Sequence, residues 1–437
     1  MTLTTTLSPP LRGSYTLPGD KSLAHRAALF AALATGKSVI ESFPLSGVTQ
    51  AMLDALTAFG VEWSYNAGTL YVLGRGIYGL QRPSEPVNCR NSGTTIRLLI
   101  GAAAAAGVPC TLDGSEGLRR RPMSRVTEPL QTMGVAITTA ANGCAPLVLA
   151  ARAATTPLKG ATIQLPVASA QVKSCLLLAA LAAAEPVTIT EPGPSRDHTE
   201  RMLTAMSVTV RHDTTINRVT LTPPLEPLKP LHSKLAGDIS TAAFLIVAAT
   251  IIPGSDITLC GVGVNHTRTG IIEALTAMGA DITITPQPDR SGEPVADLHI
   301  RHAPLKGITV SGDLVVRMID EFPIFAIAAA AATGQTIVRD AAELRHKESD
   351  RISRLCNELK SIGVTATEHP DGFSIATGAP FGGVVDTHGD HRLAMSLAVA
   401  GWISQRGVTV KNADIMTESF PDFTKVALKL GATVKID

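Results

Sequence analysis

Six times along the chain a short polar or charged cluster runs into an Ala/Leu-rich stretch of helical character. The stretches are GDKSLAHRAALFAALA from Gly19, NSGTTIRLLIGAAAA from Asn91, SAQVKSCLLLAALAAA from Ser169, GDISTAAFLIVAAT from Gly237, IDEFPIFAIAAAAA from Ile319 and GDHRLAMSLAVAG from Gly389. They recur roughly every seventy to eighty residues, the signature of an internally repeated architecture. Each stretch predicts a buried helix with a polar start. A helix start gathers unpaired N–H groups and the positive end of the macrodipole, so six such starts offer six places to hold an anion.

Between these helices lie short β-type runs bounded by Gly, Pro and Asn: SVIESF, TLYVLG, VTITEP, DITLCGV, QTIVRDA and GVTVKNA. Apolar residues at i, i+3, i+4 and i+7 predict a second, amphipathic helix from Gln50, Ser124, His198, Arg268 and Ser349, most of them stopping at Gly, with a last copy in FTKVALKLGA. The unit is strand, buried helix, strand, amphipathic helix, more strand. The predicted fold class is α/β (α+β), with two similar lobes of three βαβαββ-type units each, closing on a cleft between them. Residues 1–18 plus 235–437 are assigned to one lobe and 19–234 to the other, because the chain must cross twice if its ends meet.

Composition narrows the function. With 45% hydrophobic but only 4% aromatic residues, the cores must be filled by Ala, Leu, Val and Ile. A net charge of +1 argues against a general nucleic-acid binder, so any useful positive charge is local. The six cysteines form no CxxC pair and read as small buried hydrophobes in a reducing compartment. No apolar run reaches the roughly 18 residues of a membrane span. The first residues lack the basic start and apolar core of a secretory signal, so a cytoplasmic protein is expected.

The polar clusters carry the candidate chemistry. GDKSLAHR supplies Lys21, Ser22 and Arg26; NSGTTIR offers Gly93 and hydroxyls where the chain enters a helix; GLRRRPMSR packs Arg119, Arg120, Arg121 and Arg125 around a proline. SAQVKS brings Ser169, Ala170, Gln171 and Lys173, and PSRDHTER brings Ser195, Arg196 and His198. RMIDEFP places Asp320 and Glu321 ahead of a nearly uncharged helix, LRHKESDRI holds Lys347, Glu348 and Arg351, and GDHRLAM adds Asp390, His391 and Arg392. Taken singly, each has a bland reading as a capped helix or a solvated charge run. Jointly, at equivalent points of repeated units, they point to a polyanionic ligand or pair of ligands. Asp320 and Glu348 are the candidates for proton transfer. No metal-ligand spacing and no complete Walker or Rossmann glycine pattern occurs, so group transfer between anionic metabolites without metal, nucleotide or other cofactor is expected.

From LPGDKS through NSGTT, RRRPMSR, SAQVKS, SRDHTERM, GDIS, IDEFP, KESDRI and GDHRLAM to SFPDF, the chain resembles the EPSP synthase family. The resemblance implies transfer of the enolpyruvyl group of phosphoenolpyruvate to the 5-hydroxyl of shikimate 3-phosphate. On the matching positions it implies that Ser22 and Arg26 hold the shikimate carboxylate. Ser169, Ala170, Gln171, Ser195 and Arg196 would bind its 3-phosphate and ring, and Asp320 and Lys347 its hydroxyls. Lys21, Gly93, Gln171, Arg121, Arg351 and Arg392 would meet phosphoenolpyruvate. Asp320, Glu348 and Lys21 would be catalytic. RDHTE, GDKS, SAQVK and NHTR are similar to the class II branch, whose members tend to tolerate glyphosate, an inhibitor of the phosphoenolpyruvate site. A monomer without membrane or nucleic-acid partners is expected. Two positions depart from the family: Val48 stands where an acid is usual, and Glu418 where some members have Lys. The rival readings are the sister enolpyruvyl transferase acting on UDP-N-acetylglucosamine, whose usual loop cysteine is missing from RRRPMSR, and an inactive repeat scaffold.

Overall fold

In the computed structural model, which describes residues 1–436, all six polar-to-apolar transitions are helix starts. The Ala-rich helices are α1 (Lys21–Leu33), α2 (Gly93–Ala106), α3 (Ala170–Ala180), α4 (Ile239–Ile251), α5 (Phe322–Ala331) and α6 (His391–Gly401). Asp20, Ser92, Ser169, Asp238 and Asp390 cap five of them by accepting first-turn N–H groups. α5 has Glu321 at its cap position and a proline in its first turn, where the missing donor has no helical partner to lose. Small side chains let these helices approach closely. A methyl on Gly101 of α2 would lie 2.3 Å from the Cys175 carbonyl oxygen of α3, so only glycine fits there.

Each unit adds a four-stranded sheet of one design. In the second unit, Val87–Asn88 runs parallel to Cys110–Asp113, which pairs antiparallel with Leu147–Leu149, itself antiparallel to Ile137–Thr138. All six sheets repeat this order. Three strands come from elsewhere in the chain. Leu3–Thr5 pairs with Val408–Lys411 and Val434–Ile436, completing the last unit. Arg12–Thr16 runs parallel to Asp256–Gly263, and His232–Lys234 parallel to Thr35–Glu41. The amphipathic helices begin at Gly47, Ser124, His198, Gly270, Arg351 and Phe423. The first starts before the predicted Gln50 because Ser46 and Thr49 form a capping box upstream.

The chain divides into two compact units, Met1–Leu17 with Gly237–Pro288 and Pro294–Asp437, and Pro18–Ala236 with Asp289–Glu293. They are called here the C-terminal and N-terminal units. The short segment Asp289–Glu293, which the sequence reading puts with residues 235–437, belongs to the N-terminal unit. There Arg290 Nη1 donates to the Leu235 carbonyl at 3.1 Å, and the Ser291 and Ser233 hydroxyls bond at 2.6 Å. The few aromatics concentrate in the C-terminal core, where Trp402 stacks on Phe423 with centroids 5.9 Å apart. Five cysteines are buried, Cys260 is half-buried, and all six are free thiols. Among the described residues no helix is long and apolar enough to cross a membrane.

Candidate active site

In the N-terminal unit the starts of α1, α2 and α3 are tied together by side chains. Arg26 is buried: its Nε donates to Thr199 Oγ1 and its Nη2 to Ser174 Oγ, each at 2.8 Å, and its Nη1 returns to the Ser22 carbonyl at 2.9 Å. Burial pulls its pKa down to about 10. α2 and α3 are joined by Arg97 Nη1 donating to Gln171 Oε1 at 2.5 Å and Gln171 Nε2 donating to Thr94 Oγ1 at 2.9 Å. Arg196 Nη1 reaches Ser22 Oγ at 3.5 Å. Gly93 opens α2 against two guanidiniums, since a methyl there would lie 2.7 Å from Arg121 Nη1 and 3.4 Å from Arg97 Nη1. Ser169 caps α3, and its backbone N–H donates to Glu191 at 2.8 Å, the same carboxylate that accepts from Ser195 Oγ at 2.7 Å.

His25 binds α1 to α2. Burial pushes its pKa down to about 4, so at neutral pH the ring carries one proton. Its Nδ1 lies 2.6 Å from the Lys21 carbonyl oxygen, and its Nε2 lies 3.4 Å from Ser92 Oγ, so the single ring proton serves one of the nitrogens according to the tautomer. The Val48 carbonyl lies 3.0 Å from the same Nε2. At the Val48 departure the backbone carbonyl contacts His25.

The C-terminal unit repeats the plan with different charges. Arg351 is buried and ringed by three carboxylates: Asp390 at 2.7 Å from Nε, Glu348 at 2.7 Å from Nη2 and Asp320 at 3.5 Å from Nη1. Burial alone would lower its pKa, but Asp390 and Glu348 outweigh that and raise it, keeping the guanidinium charged. Arg392 lies 3.8 Å from Asp320 and 3.9 Å from Glu321. Asp390 also caps α6 at the Arg392 N–H (2.9 Å) and accepts from Ser349 Oγ (3.2 Å). Burial lowers the pKa of half-buried Lys347. Arg268, from NHTR, donates to Ser240 Oγ at 2.8 Å, and that hydroxyl donates in turn to Glu321.

Within the N-terminal unit the side chains fall into bonded groups: Arg26 and Arg196 both reach Ser22, Ser169 and Ser195 meet on Glu191, and Gln171 bonds Arg97 and Thr94, while Gly93 faces Arg121 and Lys21 stands at the first turn of α1. Asp320, Glu348, Arg351 and Arg392 form another, with Lys347 next to Glu348 in sequence, in the C-terminal unit. The charge is distributed unequally between the two units. In the C-terminal unit Asp320, Glu321, Glu348 and Asp390 offset the cations, so the positive excess lies in the N-terminal unit. The RRRPMSR run also divides: exposed Arg119 and Arg120 pair with Asp113 and Glu116 as a surface charge run does, while Arg121 faces Gly93. His198 is a buried partner of Glu293 (2.7 Å), the bland reading of that histidine. Glu418 is half-buried and closes a 3₁₀ turn, Ala413–Glu418.

The sequence reading gave no role to Arg97, Glu191 or the anchoring of Arg351 by Asp390. Arg97 was detectable as the arginine ending NSGTTIR; Glu191, one acid at a strand end, carried no local signal.

The family model of EPSP synthase (3-phosphoshikimate 1-carboxyvinyltransferase) matches residues 6–427. A 3-phosphoshikimate 1-carboxyvinyltransferase of Coxiella burnetii is 46% identical over 430 residues, covering 98% of this chain and 97% of its own. One of Xanthomonas campestris is 45% identical over 422 residues, covering 96% and 95%. Among solved structures, the EPSP synthase of Acinetobacter baumannii superimposes with a TM-score of 0.88 at 39% identity, over 100% of this chain and 99% of its own. The enolpyruvyl transferase NikO of Streptomyces tendae, 17% identical with a TM-score of 0.79 over 99% and 98% of the two chains, shares the fold. With its repeated capped helix starts and a match running from residue 6 to residue 427, the chain belongs to the EPSP synthase family.

Proposed function

We propose that this protein transfers the enolpyruvyl group of phosphoenolpyruvate to the 5-hydroxyl of shikimate 3-phosphate, giving 5-enolpyruvylshikimate 3-phosphate and inorganic phosphate. The observation that carries this reading is the placement of every matched motif at a helix start or on a side chain bonded to one, with two carboxylates, Asp320 and Glu348, kept among Arg351, Arg392 and Lys347. In the N-terminal half-site Ser169, Ala170, Gln171, Ser195 and Arg196 take the 3-phosphate and ring. Ser22 takes the carboxylate with Arg26, whose bonds to Ser174 and Thr199 hold α1 in place for it. Lys21, Gln171, the Gly93 amide and Arg121 receive phosphoenolpyruvate together with Arg351 and Arg392. Its carboxylate and phosphate then replace Glu348 and Asp320 as counter-ions of those two arginines.

In the addition step the enol C3 gains a proton while the 5-hydroxyl oxygen attacks C2 and loses its own. In the elimination step the C3 methyl of the tetrahedral ketal loses one proton as the bond from C2 to the phosphate oxygen breaks, releasing phosphate and restoring the enol double bond. Asp320 is the base for the hydroxyl, and Glu348 and Lys21 handle the protons at C3 and the leaving phosphate. Lys347 positions the ring hydroxyls. No metal or cofactor enters the scheme. The class II-like motifs support partial tolerance to glyphosate, a cytoplasmic location and a monomeric state complete the proposal, and an inhibition constant as tight as in sensitive class I enzymes refutes the tolerance.

The test is phosphate release from phosphoenolpyruvate with shikimate 3-phosphate and UDP-N-acetylglucosamine as parallel acceptors. Release with shikimate 3-phosphate alone is expected. Release with the sugar nucleotide alone transfers the fold to the sister reaction, and release with neither refutes enolpyruvyl transfer.

A further inference from the structure

A buried acid beside a phosphate site needs an explanation. Glu191 follows the strand Val187–Thr190 and is 4% exposed. One oxygen accepts the Ser169 N–H at 2.8 Å; the other accepts Ser195 Oγ–H at 2.7 Å and lies 2.8 Å from Lys173 Nζ. Lys173, 2% exposed, also reaches Glu200 at 2.9 Å. Ser169 and Ser195 are the two serines assigned to the 3-phosphate, and a bare carboxylate in contact with both would repel a phosphate.

We propose that Glu191, neutralised by Lys173, is the positioning residue of the phosphate end of this half-site, setting the two serines for a phosphate monoester. The inference rests on the functional reading above. A carboxylate only accepts hydrogen bonds, so it dictates where its neighbours point. By fixing the Ser169 N–H it orients that residue, whose Oγ accepts from the Val172 N–H at 3.5 Å and so keeps its own O–H to donate outward. Ser195 is held the opposite way, with its proton on Glu191. A phosphate dianion, itself only an acceptor, turns that hydroxyl toward itself, while Lys173 stays on the vacated oxygen. No covalent step occurs; one hydroxyl rotates. Without the ammonium the turn would strand a buried carboxylate, and a buried charge left unpaired is costly. Burial opposes the charge on Lys173, but Glu200 and Glu191 raise its pKa, which keeps the ammonium available.

The experiment is calorimetric binding of shikimate 3-phosphate and of shikimate, which lacks the phosphate, to the wild type and Glu191→Gln, with steady-state kinetics and thermal unfolding of both. Glutamine keeps an oxygen for the Ser169 N–H but puts a donating NH2 where the second carboxylate oxygen stood, so it no longer accepts the Ser195 proton on that side and it faces the Lys173 ammonium donor to donor. The expected result is about tenfold weaker binding of shikimate 3-phosphate, close to the loss of one hydrogen bond to a charged group. Shikimate affinity, the KM for phosphoenolpyruvate and kcat should each change less than about threefold. Lys173→Met should show the same phosphate-specific loss. Unchanged shikimate 3-phosphate affinity overturns the proposal, as does an equal fall for both ligands, which a purely structural role would give. If Glu191→Gln does not fold, Glu191→Asp, which keeps a counter-charge near Lys173 but draws the carboxylate back from the two serines, is read by the same criteria. A wild type that binds no shikimate 3-phosphate instead refutes the functional reading, and this inference with it.

Discussion

Replacing Asp390 by asparagine tests the anchoring of Arg351. Asp390 is fully buried and accepts from Arg351 Nε at 2.7 Å and Nη2 at 3.3 Å. Asparagine is nearly isosteric and caps helices well, so the bond from the Arg392 N–H survives and little helix stability is lost. What is lost is the principal counter-charge of a guanidinium that is itself buried. Stranding a buried ion typically costs about 3–5 kcal/mol. Arg351 keeps Glu348 at 2.7 Å and Asp320 at 3.5 Å, so the expected loss is at the low end, about 3 kcal/mol. Urea unfolding followed by fluorescence of Trp402, buried in the same unit, measures it. Because Arg351 is also assigned to phosphoenolpyruvate, the KM for that substrate should rise about tenfold, the effect of about 1.4 kcal/mol of lost binding. A stability loss under about 1 kcal/mol with an unchanged KM would show that Asp390 does not hold Arg351, and would refute the reasoning.

Other outcomes follow from the same geometry. Gly93→Ala should raise the KM for phosphoenolpyruvate and the glyphosate inhibition constant, because a methyl 2.7 Å from Arg121 Nη1 pushes that guanidinium back by about 1 Å; stability should hold within about 1 kcal/mol, since alanine favours the helix. Asp320→Asn should lower kcat by about 10²–10⁴ in a steady-state assay with little change in Tm, as loss of a general base does. Burial lowers the pKa values of His25 and His391 from 6.5 to about 4. The unfolded chain therefore binds more protons between those values, and stability is complete above pH 6.5 and falls as pH drops toward 4. The loss is on the order of 3 kcal/mol per histidine, read as urea midpoints across that range and flattened by replacing both residues with glutamine.

Periodicity and capping were legible because they act over a few residues. The Asp20, Ser92 and Asp238 caps bond within three positions of themselves, so the polar-to-apolar switch in the sequence is the helix start in the structure. The strand–helix–strand–helix unit could be read for the same reason. The candidate site was legible as motifs, with Lys21, Arg121, Asp320, Glu348 and Arg392 each standing at a helix start or beside one. The role of Arg26 inside its motif was not, because its two hydroxyl partners lie 148 and 173 residues away.

By itself the sequence determined the local elements and the chemical inventory: where helices begin, which faces are apolar, and which charged groups cluster at the starts. Tertiary structure alone decided which charges are spent on one another. Lys173 is matched by Glu191 and Glu200, and Arg351 by Asp390, which is 39 residues distant. It also decided that Leu3–Thr5 completes the last sheet. A carboxylate's partner is set by proximity in a dry interior, where an unpaired ion is too costly to persist, and no spacing along the chain encodes that proximity.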